Sequence, residues 1–287
     1  MADTGEEVVS DAAAKLKAQE SYSFLSANVD EEMYTALLAI ARSVPYVWPA
    51  DLRSDREKFS SICIAGVNFD PSNSTKPPTI TLRLCDMAIW RETEGHIMEM
   101  CTKKYVSQIF STLTVNVEGL KADEKYTFFL DLMPKDKFIH SYQLGRWYPR
   151  VPVRPYPSPN QGLFSCVASL KLLMTVQNCT QIGINNYGFW SGFSSAKITT
   201  DIKITKNSNQ IFVYNLQFYL PRYHIVRHLT VEEAAARLEH VGTYIIPETQ
   251  FITATKYYDR HIANLKIDTN PFNTAVKKRR ESLLNPD

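Results

Sequence analysis

The feature that most constrains the fold of this chain is the alternation of apolar and polar side chains after residue 78. Ile80, Leu82 and Leu84 alternate with Thr81 and Arg83, and the same spacing recurs later. The later segments are 113–117, 126–131, 212–218, 223–226 and 251–255. A spacing of two puts alternate side chains on one face of a β-strand, so that face can be buried. Because Pro, Asn and Gly turns separate these segments, they predict an all-β, antiparallel sandwich of short strands.

Two segments have helical spacing instead. In residues 31–44, four apolar side chains recur at the period of an α-helix, which predicts a short amphipathic helix. They are Met33, Leu37, Leu38 and Ala41. Residues 231–240 also predict a short helix, either an interaction surface or loop filler. We expect a small helical N-terminal extension over residues 1–75, a main domain over 76–280 and a short tail over 281–287.

Charge is unevenly distributed along the chain, although the formal net charge is only +2. Acidic side chains dominate the first 32 residues, where the cations are Lys15 and Lys17. The opposite end carries the run Lys277-Lys278-Arg279-Arg280. This run reads as a nuclear-import patch, a phosphate-binding tail or both. An acidic start and a basic end are typical of a nucleic-acid face confined to one part of a molecule.

The sequence does not favour an enzyme or a membrane protein. His224 and His228 lie in a strand-like pattern without a nearby Cys or acidic partner, so we interpret them as structural rather than zinc ligands. Cys101 lies near lysines but has no local His motif that would make it a nucleophile. Glycine-rich phosphate loops, serine nucleophile elbows and paired-carboxylate motifs are absent from the sequence. We expect no cofactor, no metal, no membrane span and, from five widely spaced cysteines, a reduced intracellular protein.

Short blocks of sequence follow one another over about residues 78–280. They are Ile89-Trp90, Met98-Glu99-Met100, Val115–Leu120, Gly145-Arg146-Trp147, Pro221–Arg227, Pro247–Ile252, and Leu265-Lys266-Ile267 with Asn270-Pro271-Phe272. In order and spacing, this set resembles the T-box family of transcription factors. Pro221–Arg227 matches the family's Pro-Arg-x-His-Ile-Val-Arg at all but the variable position. The chain is identified as a divergent member of that family.

The resemblance implies an immunoglobulin-like sandwich whose end loops and short C-terminal helix contact double-stranded DNA. One loop would reach the major groove, and the helix after Asn270-Pro271-Phe272 would enter the minor groove, while cations neutralise phosphates. The DNA-contacting residues predicted on this basis are Ser107, Gln108, Lys203, Arg222, Thr255, Lys256, Tyr257, Arg260, Pro271, Phe272, Val276, Lys277, Lys278 and Arg279.

Four positions, in three segments, depart from the family pattern. Ser107-Gln108 replaces a pair of arginines, and glutamine favours adenine where an arginine fork would read guanine. Val276 replaces a second phenylalanine, which reduces the aromatic area beside Phe272. Asp259 ends the turn that begins at Thr255, where it would repel phosphate unless Arg260 offsets it.

Each predicted contact has a structural alternative. Phe272 would either wedge into the minor groove or plug the core, and Tyr257 would either contact DNA or pack across strands. Arg222 and Arg227 would either contact phosphate or pair with Glu248 or Asp131. Lys256, Arg260 and Lys266, taken alone, would form a solvated face.

The leading interpretation is a nuclear, sequence-specific regulator of RNA polymerase II transcription with an altered DNA site. Its partners would be double-stranded DNA and either other transcription regulators or a second copy on paired half-sites. The alternative is an interaction module that keeps the sandwich but has lost base-specific readout.

Overall fold

The computed structural model describes residues 31–48, 57–69, 80–102, 106–121, 124–152, 174–176, 189–191, 193, 196–201, 210–230 and 238–269. Its α-helices are α1 (Glu31–Ser43), α2 (Met87–Arg91) and α3 (Arg260–Thr269). The first eight strands are β1 (Ile62–Ala65), β2 (Thr81–Leu84), β3 (Met98–Cys101), β4 (Ser107–Gln108), β5 (Val115–Glu118), β6 (Tyr126–Pro134), β7 (Phe138–Gln143) and β8 (Arg146–Pro152). The others are β9 (Met174–Val176), β10 (Phe189–Ser191), β11 (Lys197–Thr199), β12 (Gln210–Phe212), β13 (Phe218–His228), β14 (Leu238–Ile245) and β15 (Phe251–Ala254).

A large sheet organises the fold, with β13 at its centre. Its main path is β1–β14–β13–β15–β3, and β6 and β9 extend it from the other edge of β13. Because β13 has 11 residues, β15 can pair with its start at Phe218 and Tyr219 while β14 pairs with it from Arg222 onward. Smaller sheets β10–β5–β2 and β12–β11–β4 and the hairpin β7–β8 complete the described strands.

The alternating side chains of the large sheet pack on two faces. On its inner face, Phe128 and Leu130 of β6 and Tyr223 of β13 share one buried cluster with residues of the smaller sheets. Those residues include Leu82, Leu84, Val115, Val117, Ile198 and Ile211. Burying apolar area between two sheets is the main favourable contribution to such a fold. The arrangement confirms the predicted all-β, immunoglobulin-like sandwich.

Helix α1 covers part of the outer face of the large sheet. Leu37 and Ala41 are buried in a cluster with Phe129 of β6 and Val226 of β13. The chain that follows the helix continues over the same face, where Trp48 joins a second buried cluster. The helix predicted for residues 31–44 is therefore confirmed, and it packs on the sandwich.

Part of the chain before residue 76 belongs to the large sheet. Strand β1, within the segment assigned to an N-terminal extension, pairs antiparallel with β14 of the large sheet. Gly66 follows it in a left-handed conformation, φ 101°, with its backbone close to that of Gly242. A side chain at Gly66 would collide with that backbone, so this close approach requires glycine.

Three local predictions were wrong. A single strand over 212–218 is interrupted because Leu216 adopts a left-handed φ of 58°, and β13 begins only at Phe218. Residues 238–240 belong to β14 rather than to a helix, and 231–237 lie outside the described residues. Helix α3 occupies residues 260–269, within the region after residue 78 for which strand-like spacing was expected.

Two pairings are parallel, β3 with β15 and β11 with β12, whereas the other pairings between described strands are antiparallel.

The helices in the described ranges do not include one with the length and apolarity needed to cross a membrane. The described residues also contain no group of three or more His, Cys, Asp or Glu side chains arranged to hold a metal ion.

Candidate nucleic-acid interface

Two segments with predicted DNA contacts leave the sandwich at the same end. Because β3 and β15 are parallel, Cys101 and Ala254 lie side by side at their C-terminal ends. The backbone N–H of Thr102 donates to the carbonyl of Ala254 at 2.8 Å. We call this region, with the segments that follow both strands, the interface end. The topology therefore brings together residues that are about 150 positions apart in the sequence.

The turn after β15 presents a small basic and aromatic surface. Thr255, Lys256 and Arg260 are exposed, and Tyr257 is 37% exposed. The Lys256 ammonium lies 5.4 Å from the centre of the Tyr258 ring, within the range of a cation–π contact. The Tyr257 hydroxyl interacts with the Cys101 thiol, and burial raises the pKa of this phenol. The turn thus exposes two cations and part of an aromatic side chain at the interface end.

A buried carboxylate fixes this turn to the sheet. Glu99 of β3 is fully buried, and its two oxygens accept the backbone N–H groups of Tyr258, at 2.7 Å, and Asp259, at 3.1 Å. The Trp147 side chain of β8 also donates a hydrogen bond to this carboxylate. Burial raises the pKa of Glu99, although the hydrogen bonds partly offset that effect. One side chain therefore connects strand β3, the turn and the β7–β8 hairpin.

Asp259 has a structural role at the start of helix α3. Its carboxylate accepts the N–H of His261 at 2.8 Å and that of Ile262 at 3.4 Å, which satisfies backbone donors at the helix N-terminus. Its other oxygen lies 2.7 Å from Nδ1 of His96. Burial would raise the pKa of Asp259, but the bonds from His96 and the backbone hold it below its usual value. That Asp259 would repel phosphate unless Arg260 offsets it stays a prediction, which did not include these local partners.

Lys266 lies inside the protein rather than on a solvated face. It is 2% exposed, its ammonium is 3.5 Å from the Met100 sulfur, and it lies 5.4 Å from the centre of the Phe110 ring. Burial lowers the pKa of Lys266 to about 7, although Cys101 and Glu99 act in the opposite direction. The side chain packs α3 against β3 and against the segment that follows β4. Its burial corrects the alternative that placed it in a solvated basic surface.

The segment that carries Ser107 and Gln108 forms the short strand β4. Ser107 is half-buried and Gln108 is exposed, and Gln108 lies directly opposite Lys197 of β11 in an antiparallel pair. Lys197 is also exposed, so the two side chains are neighbours on one face of the small sheet. Lys197 was missing from the predicted contacts. The alternation Ala196-Lys197-Ile198 was a sequence signal for an exposed lysine on a strand, but not for its pairing with Gln108.

Arg222 is not available for a surface contact. It is 2% exposed, and its guanidinium makes two hydrogen bonds to Asp131, one of them 2.8 Å long. A third bond, 3.4 Å long, reaches the Ala41 carbonyl of helix α1. The prediction that Arg222 contacts DNA is therefore corrected in favour of its structural alternative. Arg227 is also structural, but it pairs with Glu124 and Glu239 rather than with Glu248 or Asp131.

The remaining predicted contacts lie outside the described residues. They are Lys203, Pro271, Phe272, Val276, Lys277, Lys278 and Arg279. The choice between wedge and core plug for Phe272 stays a prediction for the same reason.

Known proteins resemble this chain over the region that contains the interface end. A family model described as T-box matches residues 82–278. T-box transcription factor T of Halocynthia roretzi is 27% identical over 218 residues, which cover 73% of this chain and 42% of that protein. T-box brain protein 1 of Mus musculus is 28% identical over 224 residues, covering 72% and 30%, respectively. T-box transcription factor T of Canis lupus familiaris is 30% identical over 200 residues, covering 68% and 40%. The chain thus spans less than half the length of these relatives, and the family match begins after α1 and β1.

Proposed function

This chain belongs to the T-box family, and from that membership we propose that it binds double-stranded DNA and regulates transcription. The relatives named as transcription factors support this proposal. The proposed site of action is the nucleus, on genes transcribed by RNA polymerase II. Other transcription regulators, or a second copy of the chain on paired half-sites, are proposed partners.

The observation that carries the proposal is the cationic turn at the interface end. Lys256 and Arg260 are exposed on a turn whose backbone is bonded to the buried Glu99. Exposed cations on an ordered backbone can neutralise phosphates and set the register of a protein on a duplex. Gln108 and Lys197, which lie opposite each other in the small sheet, add an exposed amide and a further exposed ammonium. Together they provide both kinds of contact that sequence-specific binding requires.

We further propose that Gln108 alters the preferred DNA site. Its exposed amide offers one donor and one acceptor, which suit adenine N7 and N6, whereas guanine O6 and N7 both need donors. The family's arginine at this place would supply two donors. The site preferred by this chain should therefore differ from the family's usual element at the corresponding guanine.

Selection of bound duplexes from a random pool tests this function. Enrichment of a defined motif with weakened discrimination at that guanine is expected, and Gln108→Arg should restore discrimination by roughly 1–3 kcal/mol. Thr230→Arg, at an exposed position just after the far end of β13, is a control that adds the same charge away from the interface end. Recovery of the usual element with full discrimination by the unmodified chain would contradict the role of Gln108.

A second candidate function is an interaction module without base readout. It is favoured by two findings: Gln108 stands where the family has an arginine, and Arg222 is committed to Asp131. Such a protein would bind all duplexes with equal affinity and a steep dependence on salt. Titration of specific and scrambled duplexes across a range of salt concentrations separates the two functions.

We also propose that the folded unit extends beyond residues 76–280 at its N-terminal side. The pairing of β1 with β14 and the packing of α1 on β6 and β13 support this limit. The short tail at 281–287 stays a prediction.

A further inference from the structure

We infer that Glu99 is a positioning residue for DNA binding, which holds the turn at 255–259 in the conformation that presents Lys256, Tyr257 and Arg260. This inference rests on the proposed function. It gives the buried Glu99 a role in the contacts that surface side chains make with DNA. Glu99 is fully buried, so it cannot reach DNA itself.

The chemistry of the site requires a carboxylate. The N–H of Tyr258 donates to one oxygen of Glu99 and the N–H of Asp259 to the other, and Trp147 donates as well. A glutamine would offer one acceptor oxygen and an amide group that donates only. One backbone N–H would then face another donor, and the turn would have to move to satisfy it.

A displacement of the turn backbone would also move the exposed side chains beside it. Tyr258 and Asp259 lie between the exposed Lys256 and Tyr257 on one side and Arg260 on the other. Asp259 also accepts N–H groups from the first turn of α3, so a displaced Asp259 displaces the start of that helix. The effect of Glu99 therefore passes through two backbone amides to all three outward side chains.

The β7–β8 hairpin reinforces this arrangement. The Trp147 ring lies 5.0 Å, centre to centre, from the Tyr258 ring, and Tyr142 lies 5.9 Å from it. Edge and tilted contacts of this kind favour one orientation of the rings. The hairpin thus adds ring contacts to the backbone bonds that hold the turn, and Trp147 belongs to both sets of contacts.

The test compares Glu99→Gln with a chemically matched control. Glu124→Gln makes the same change in a carboxylate that accepts bonds from Arg227, Tyr126 and Lys121. Glu124 lies near the far end of β13, since Tyr126 pairs with Arg227 while β15 pairs with Phe218. A change at Glu124 should therefore affect local stability without reaching the interface end.

Both variants and the unmodified chain are titrated with the selected duplex and with a scrambled duplex at several salt concentrations. We expect folded Glu99→Gln to bind the selected duplex about tenfold more weakly than the unmodified chain, because one charged hydrogen bond is lost. The slope of log affinity against log salt should fall by about one, because a phosphate contact is lost. Glu124→Gln should retain the affinity and the slope.

A readout without DNA accompanies these titrations. Hydrogen exchange in the Tyr258-Asp259 segment should be faster in Glu99→Gln and unchanged in Glu124→Gln, because only the first variant replaces one of the two oxygens that accept these amides. If Glu99→Gln does not fold, Trp147→Phe removes one donor to the carboxylate while retaining an aromatic ring. It should show smaller changes in the same directions.

The outcomes separate the inference from the function on which it rests. If the unmodified chain binds no duplex, the proposed function fails and the role of Glu99 in DNA binding fails with it. If the unmodified chain binds but Glu99→Gln matches Glu124→Gln in affinity, slope and amide exchange, the inference alone is overturned. Faster exchange with unchanged affinity and slope would show a purely structural bond and would also overturn it.

Discussion

The outer face of the large sheet and the interface end each bury a carboxylate, and the partners of the two carboxylates differ. Asp131, on the outer face, is bonded to the side chains of Arg222 and lies 3.3 Å from His224. Glu99, at the interface end, accepts backbone N–H groups from a turn with exposed neighbours. The first carboxylate joins two strands under helix α1, whereas the second fixes a segment whose side chains reach the surface. Burial of a charge therefore has a stabilising role in one region and a positioning role in the other.

The pKa values of the two buried carboxyl groups are shifted in opposite directions. On the outer face, burial raises the pKa of Asp131, but the charges and hydrogen bonds of Arg222 and His224 together outweigh burial and hold that pKa below its usual range. At the interface end, burial dominates and raises the pKa of Glu99. The partners of Asp131 thus lower its pKa, whereas the hydrogen bonds to Glu99 only partly offset the effect of burial on its pKa. The following variants test this separation in order of decreasing expected effect.

The largest effect is expected from Arg222→Met. Removing one partner leaves the Asp131 carboxylate buried without its cation, which should lower the free energy of unfolding by roughly 3–5 kcal/mol. Urea denaturation measures this loss, and Arg227→Met on the same strand should cost less because that pair is more exposed. Folded Arg222→Met should bind DNA like the unmodified chain. Weaker DNA binding by the folded variant would show that the outer face affects DNA binding at the interface end.

A somewhat smaller effect is expected from Leu37→Ala in helix α1. Leu37 is fully buried against Phe129 and Val226, so truncation should lower the free energy of unfolding by about 3 kcal/mol through lost burial and a cavity. The same denaturation measurement checks this value. Leu144→Ala is the control, because Leu144 is 97% exposed and should contribute little. Unchanged stability of Leu37→Ala would show that α1 is not part of the cooperative unit.

The outer face and the interface end should also contribute to the pH dependence of stability in different pH ranges. Burial lowers the pKa of His228 and of His240 to about 4, below their ordinary 6.5. The unfolded chain then binds more protons between about pH 4 and 6.5, so stability should fall as the solution is acidified through this window. The pKa of Lys266 is lowered from 10.5 to about 7, so stability should rise from about pH 7 to 10.5.

Denaturant midpoints measured from pH 4 to 10 test both windows, with about 1.4 kcal/mol per pH unit expected for each proton involved. Lys266→Met should flatten the alkaline rise and leave the acidic fall unchanged. His228→Gln combined with His240→Gln should flatten the acidic fall. A single variant that removed both dependences would show that the two regions titrate together.

The smallest effect is expected from Lys256→Ala. One fewer phosphate contact should weaken binding to all duplexes nearly equally and reduce the salt slope by about one. Lys121→Ala is the control, because this exposed lysine pairs with Glu124 near the far end of β13. Stability should hardly change in either variant, since both lysines are exposed. An unchanged slope for Lys256→Ala would remove this lysine from the proposed interface.

The sequence by itself determined the fold class and the family. The alternation in 126–131 correctly predicted a strand, because a strand places every second side chain on the same face, although both faces of β6 are buried. The helical spacing at 31–44 likewise predicted α1 correctly. These features are local, so a short stretch of sequence contains them completely.

Only the tertiary structure decided which polar side chains face solvent. Arg222, Lys266 and Glu99 are charged in the sequence and buried in the fold, because their partners come from distant segments. Asp259 caps the start of helix α3, which the alternation in the sequence did not predict. Lys197 is a neighbour of Gln108 because their strands pair. Pairing between strands fixes such neighbours, and a residue's own surroundings in sequence carry no record of them. The class of the protein was therefore readable along the chain, whereas the members of its candidate interface depended on which strands came together.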